Sequence, residues 1–215
     1  MKINEQGRSM IEMLGVLAIV GVLSVGGIAG YSKAMNKFKT NKVIDQINMI
    51  STNIRTLYSS QRNYNGLNNI IAVKTGVVPA EMYSATVAST ATTNSAMVLT
   101  HAFGGQLTIQ AAATSGDADG AYVIAIDGVP SSACISIATT DWGGDSGSGL
   151  VGMYVDSTSG KTRADGYSAL SGSTVTAAST LGVPGNSSFG LPFTLVGANT
   201  ACNTTANATI AWKFM

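Results

Sequence analysis

Hydrophobic and polar positions divide the chain into three stretches with different periodicities. Residues 1–7 (MKINEQG) are short and polar. From Met10 to Tyr31 the sequence MIEMLGVLAIVGVLSVGGIAGY is apolar on every side of a helix, with Glu12 its one charged side chain. Those 22 residues rise about 33 Å as a helix, enough to cross a hydrocarbon core of about 30 Å. Beyond them Phe38, Val43, Ile44, Ile47, Ile50, Ile54, Leu57 and Tyr58 recur mostly at steps of three and four, with polar Gln46, Asn53 and Arg55 between. The pattern predicts one helix from Ser9 to near Arg62. Its first half is apolar all round, and its second half has one stripe to bury. The Asn-rich run around Gly66 ends it. Gly26, Gly27 and Gly30 either weaken the helix, by about 1 kcal/mol each relative to Ala, or let another backbone approach closely.

From about Leu67 the period changes. Ile70 to Val78 is a short apolar stretch ending at Pro79, and Tyr83 to Asn94 is rich in Ser, Thr and Ala and reads as loop. QLTIQA (106–111), AYVIAI (121–126), GLVGMYV (149–155) and TIAWKF (209–214) carry β-branched and aromatic residues in partial alternation and predict strands. PSSACISIAT (130–139) predicts a short helix. Residues 157–188 are so rich in Ser, Thr and Gly that they read as surface loop. The fold class that follows is α+β, with a long N-terminal α-helix packed on an antiparallel β-sheet head domain.

Composition narrows the setting. Charged residues make up 11% of the 215, against about 25% in typical domains, and Ala, Ser, Thr and Gly take their place. That balance suits an exported β-rich domain. A formal net charge of +1 gives no sign of a nucleic-acid binder. The two cysteines, Cys134 and Cys202, read as one disulfide in an exported chain and as two buried thiols otherwise.

A carboxylate in an apolar span is costly and calls for a positive partner. Secretory signals are cut after their apolar region at a small residue, whereas here the small residue precedes it. The run Gly7-Arg8-Ser9-Met10-Ile11-Glu12 resembles the prepilin peptidase site of the type IV pilin and pseudopilin family. That family has a glycine before the cut, a glutamate fifth after it, and an unbroken apolar helix behind. The resemblance implies cleavage between Gly7 and Arg8, an N-methylated Arg8 amine at the new N-terminus, and assembly through pairing of Glu12 with the Arg8 amine of a neighbouring subunit. The family usually places an apolar residue after the cut; Arg8 there implies slower processing or a dedicated peptidase. Lys33, Lys37, Lys39 and Lys42 follow the span, with only Lys2 and Arg8 basic before it. That distribution runs against the positive-inside rule for an exported head, while the cleavage pattern and the C-terminal composition favour export.

The succession HAFGGQLTI (101–109), AYVIAI and GVPSSAC (128–134) is similar to the head domain of type IVb pilins. There a cysteine near a short helix is bonded to one near the C-terminus, which implies a Cys134–Cys202 disulfide. The implied organisation is a leader at 1–7, a membrane and filament-core half-helix at 8–31, an amphipathic half-helix at 32–62 and a head at 63–215. The implied partners are further copies of the chain in a helical homopolymer, prepilin peptidase, the pilus assembly machinery of the inner membrane, and the membrane itself before assembly. The implied location is the bacterial inner membrane first and the cell surface after assembly. No cofactor and no nucleic acid are expected. A type II secretion pseudopilin or minor pilin is the nearest alternative, and a membrane-anchored ligand-binding ectodomain is the alternative of another class.

Enzymatic signals are weak. Gly144-Asp145-Ser146-Gly147 matches the tetrapeptide around a chymotrypsin-like nucleophile, and His101 precedes it, but the two are too close in sequence to come from two barrels. Asp117-Ala118-Asp119-Gly120 starts like a calcium loop and lacks its closing glutamate; it reads as a turn. One histidine and two distant cysteines do not make a usual zinc site.

Overall fold

The computed structural model describes residues 10–94, 96–143, 149–186, 188–203 and 206–215. The chain divides into two compact units, Met1–Phe38 and Lys39–Met215. Helix α1 covers Met10–Tyr58 and so contributes to both.

In the second unit, α1 buries Thr40, Val43, Ile47, Ile50, Ile54 and Tyr58, the stripe that its three-and-four spacing predicts. Val43, Ile47, Ile50 and Ile54 are completely covered, each contributing about 1.5–3 kcal/mol of apolar burial. The helix stops at Tyr58, earlier than Arg62, because the Ser-Ser-Gln-Arg-Asn run that follows offers no apolar face. Ser59 there turns its hydroxyl back onto the Thr56 carbonyl at 2.8 Å. Gly66 takes a left-handed φ of 78° in the turn that follows.

Six strands form one sheet: β1 (Leu99–Thr100), β2 (Gln106–Thr114), β3 (Asp117–Val129), β4 (Leu150–Asp156), β5 (Leu181–Gly182) and β6 (Ala208–Phe214). Their order is β1-β2-β3-β6-β4-β5, and every neighbouring pair is antiparallel. The C-terminal strand β6 thus sits between β3 and β4. Ile124 opposes Trp212, and Met153 opposes the same Trp212 from the other side. Alternation of side chains along each strand gives the sheet two different faces. Leu107, Ile109, Ile124, Ile126, Trp212 and Val155 share one core with the α1 stripe. Ala112, Ala121, Val123, Ala125 and Ala211 belong to a second core with Tyr154 and Leu170.

Among the described residues the head also contains the helices α2 (Asn69–Lys74), α3 (Ala85–Thr90), α4 (Ser131–Ala138) and α6 (Leu195–Ala201). Between α4 and α6 in sequence lies α5 (Arg163–Leu170). Two expectations are corrected here. The Tyr83–Asn94 segment contains α3, whose Ser89 and Thr90 hydroxyls close back on the Thr86 carbonyl. The 157–188 stretch contains α5 and β5 rather than loop alone. Helix α5 starts with a Thr162–Asp165 capping box and covers the alanine-rich face of the sheet. Its Gly166 is the point of closest approach, since a Cβ there would stand 3.0 Å from the Ala211 Cβ and 3.2 Å from Thr209 Cγ2. Asp117–Gly120 opens β3, and the turn lies just before it.

Candidate assembly face on the N-terminal helix

The first half of α1 and the second treat apolar residues in opposite ways. Ile11, Leu14, Leu17, Val22, Leu23 and Ile28 are 64–80% exposed, whereas the stripe beyond Thr40 is covered. No part of the most apolar window of α1 is buried within the chain. A continuous apolar surface of this size is unfavourable in water and marks a contact with lipid or protein. Its length suits a bilayer, and its all-round character suits either lipid or a packed bundle of helices.

Two polar side chains interrupt it. The Ser24 hydroxyl donates to the Val20 carbonyl at 2.7 Å, so the helix itself satisfies it and no outside partner is needed. Glu12 lies in the first turn of α1, where the positive end of the helix dipole favours a carboxylate. That field offsets part of the cost of an apolar setting, and a carboxylate there calls for a positive partner. Gly15, Gly21, Gly26, Gly27 and Gly30 have open space where a Cβ would stand, so another helix can approach the backbone there. Gly7 and Arg8, the expected cleavage residues, lie outside the described residues.

The head ties itself to α1 through polar links, of which the Tyr122–Ser51 bond is buried. The Tyr122 hydroxyl meets Ser51 Oγ at 2.8 Å, and burial pushes its pKa up to about 12, so it stays protonated. Arg55 lies over the Phe214 ring at 5.3 Å. Gln46 Nε2 and Lys42 Nζ both donate to Glu81, at 2.9 and 3.0 Å. Lys213, almost fully covered, donates to the Ala113 carbonyl at 2.7 Å and to the Gly172 carbonyl. It joins the end of β2 to the residues that follow α5.

Cys134 on α4 and Cys202 at the end of α6 form a disulfide, with Cα atoms 5.9 Å apart. Both are fully covered. The Ser131 hydroxyl donates to the Cys202 carbonyl beside them.

The outer edge of β2 is closed. Its Ile109 N–H donates to Asn69 Oδ1 at 2.7 Å. Ala111 N–H donates to the Leu67 carbonyl at 3.1 Å, and Ala113 N–H to the Ser171 carbonyl at 3.0 Å. A stretch of edge capped in this way does not recruit a further strand.

His101 has both ring nitrogens engaged. Nε2 donates to the Asp127 carbonyl at 2.7 Å, and Nδ1 accepts from Phe103 N–H at 3.3 Å. Burial pushes its pKa below the ordinary histidine value, which keeps it neutral near pH 7 and makes it a structural link. Ser146, its suggested nucleophilic partner, lies outside the described residues. Asp117 and Asp119 accept from Asn63 and Asn65 respectively. Among the described residues no three His, Cys, Asp or Glu side chains come together as a metal site. A cleft of about 610 Å³ opens between Asn94, Gln110, Arg163 and Tyr167. Neither it nor α5 beside it was predicted; the Thr162-x-x-Asp165 spacing was the one signal of α5 in the sequence.

Comparison with known proteins follows the same outline. The model of the family described as Bundlin matches residues 32–215. The major structural subunits of the bundle-forming pilus from Escherichia coli O127:H6 and from Escherichia coli O111:H- are each 30% identical over 139 residues. That match covers 65% of this chain and 66% of each relative, just under two thirds of their length. Among solved structures, TcpA, a type IV pilin from Vibrio cholerae El Tor biotype, superposes with a TM-score of 0.54 at 18% identity, covering 82% of this chain and 99% of TcpA. At that identity the likeness concerns the fold.

Proposed function

The chain belongs to the Bundlin family, and from that membership we propose that it is the structural subunit of a type IV pilus, of the type IVb kind. The observation that carries the reading is the apolar half of α1, which the rest of the chain leaves uncovered. The relatives named as pilus subunits support it.

The steps are those that the resemblance to type IV pilins implies. The leader at 1–7 is removed between Gly7 and Arg8 by prepilin peptidase. Residues 8–31 hold the subunit in the inner membrane, 32–62 carry the packed stripe, and 63–215 form the head. On assembly the apolar segments leave lipid and pack against one another, an exchange of one apolar surrounding for another that costs little. Specific order then comes from close packing at the glycines and from the one carboxylate in the segment, Glu12, meeting the Arg8 amine of the next subunit. In a low-dielectric setting a matched pair is tolerated where a single charge is not. The head, locked by its disulfide, forms the filament surface.

The intact mass and N-terminal sequence of the protein from sheared cell-surface material test the processing step. The expected chain starts at Arg8, with or without an added methyl group. A chain starting at Met1, or one cut beyond Tyr31, contradicts the reading and favours an anchored or secreted ectodomain.

A further inference from the structure

The 32 residues from 13 to 44 contain no Asp or Glu, yet they hold four lysines: Lys33, Lys37, Lys39 and Lys42. The head uses two of them. Lys42 pairs with Glu81 at 3.0 Å, and Lys39 stands over the Phe103 ring at 6.0 Å. Lys33 and Lys37 are exposed and make no hydrogen bond or ion pair with any described residue. Spaced four apart, they share one helix face. They begin two residues past Tyr31, which is 66% exposed and closes the apolar run.

We propose that Lys33 and Lys37, with Tyr31, form a binding site for the headgroups of anionic phospholipids on the head side of the membrane. The proposal rests on the reading of Met10–Tyr31 as a membrane span and adds a lipid partner to it. If Tyr31 sits at the hydrocarbon boundary, Lys33 stands about 3 Å and Lys37 about 9 Å beyond it along the helix. The headgroup zone is roughly 5–8 Å deep on each side. Lysine stems are long enough to bring both ammonium groups to phosphate level, and tyrosine is the residue type enriched there. No acidic residue within a turn of either lysine competes with the phosphate. The site also gives a role to a charge distribution that runs against the usual orientation bias for an exported head. It anchors the waiting subunit, and the anchor is given up when the helix is drawn into the filament.

The test uses the full chain in vesicles of phosphatidylcholine alone or with one third phosphatidylglycerol. Vesicle flotation gives membrane association. Amine acetylation followed by mass spectrometry gives the labelling rate at each lysine, with exposed Lys74 on α2 as reference. In the anionic vesicles Lys33 and Lys37 are expected to label about fivefold more slowly than in the neutral ones, since one lysine near an anionic surface gains roughly a factor of five in association. Lys74 should stay unchanged, and 1 M salt should abolish the difference. The double variant Lys33→Gln/Lys37→Gln should float with both vesicles and show no preference between them. A chain that floats with both vesicles but labels equally in both overturns the headgroup site alone, as does equal slowing at Lys74. A chain that floats with neither overturns the membrane reading and the site with it.

Discussion

Glu12→Ala is expected to leave the head folded and the chain in the membrane fraction while filament yield collapses. The head is insensitive because nothing in its core involves Glu12, which is part of the separate Met1–Phe38 unit. Insertion, if anything, becomes easier when a carboxylate leaves an apolar segment. On the proposed pairing, assembly suffers because each junction then encloses the Arg8 amine without its counter-charge. Removing one partner of a buried ion pair costs about 3–5 kcal/mol, and in a polymer that penalty recurs at every subunit added. Quantifying the chain in sheared and membrane fractions, with electron microscopy of the cells, reads the effect directly. Wild-type piliation in Glu12→Ala would remove the pairing from the mechanism.

The second large effect is expected from the disulfide. Cys134 and Cys202 are 68 residues apart in sequence, and a closed loop of that length restricts the unfolded chain by about 4 kcal/mol in the chain-entropy model. Replacing both with Ser also puts two hydroxyls into a fully covered site between α4 and α6. For a head of this size the midpoint of thermal unfolding should fall by about 8–16 °C. Circular dichroism melts of the double variant, and of the wild type with and without reductant, measure it. A fall of under 2 °C would mean that packing alone holds α4 to α6. Because those helices lie on the head, weaker filaments in this variant should accompany heat or protease sensitivity, unlike the filament defect of Glu12→Ala.

How much of this was legible depended on how each element buries itself. Helix α1 was readable because its second half places large aliphatic residues at helical spacing, and its first half is apolar on every side but for Glu12 and Ser24. Strands β2, β3, β4 and β6 were readable because Val, Ile, Tyr and Trp mark the surfaces they fill. Helix α5 was not, because Leu170 is its one large buried aliphatic residue and its closest contact with the sheet runs through Gly166 against Ala211 and Thr209. A contact made by removing side chains leaves a composition that looks like loop. Helix α3 was missed for a related reason: it buries no residue fully, so no periodicity marks it. The placement of β6 between β3 and β4 is a long-range pairing that local pattern does not encode. Glu12 and the two cysteines stood out because each residue type is costly or rare in its setting. Lys213 did not, since only the folded chain shows that its strand position lies beneath the residues after α5. The uncommitted pair Lys33 and Lys37 became visible only once the partners of Lys39 and Lys42 were known.

The claim at the centre is that the uncovered apolar half of α1 is the core of a filament. Helical reconstruction by electron cryomicroscopy of sheared native filaments tests it most directly. The expected map has the 8–31 segments packed around the filament axis, with each Glu12 carboxylate within ion-pair distance of the Arg8 amine of a neighbour and the heads outside. A filament held together by its heads alone, with the apolar segments absent or away from the axis, would contradict it.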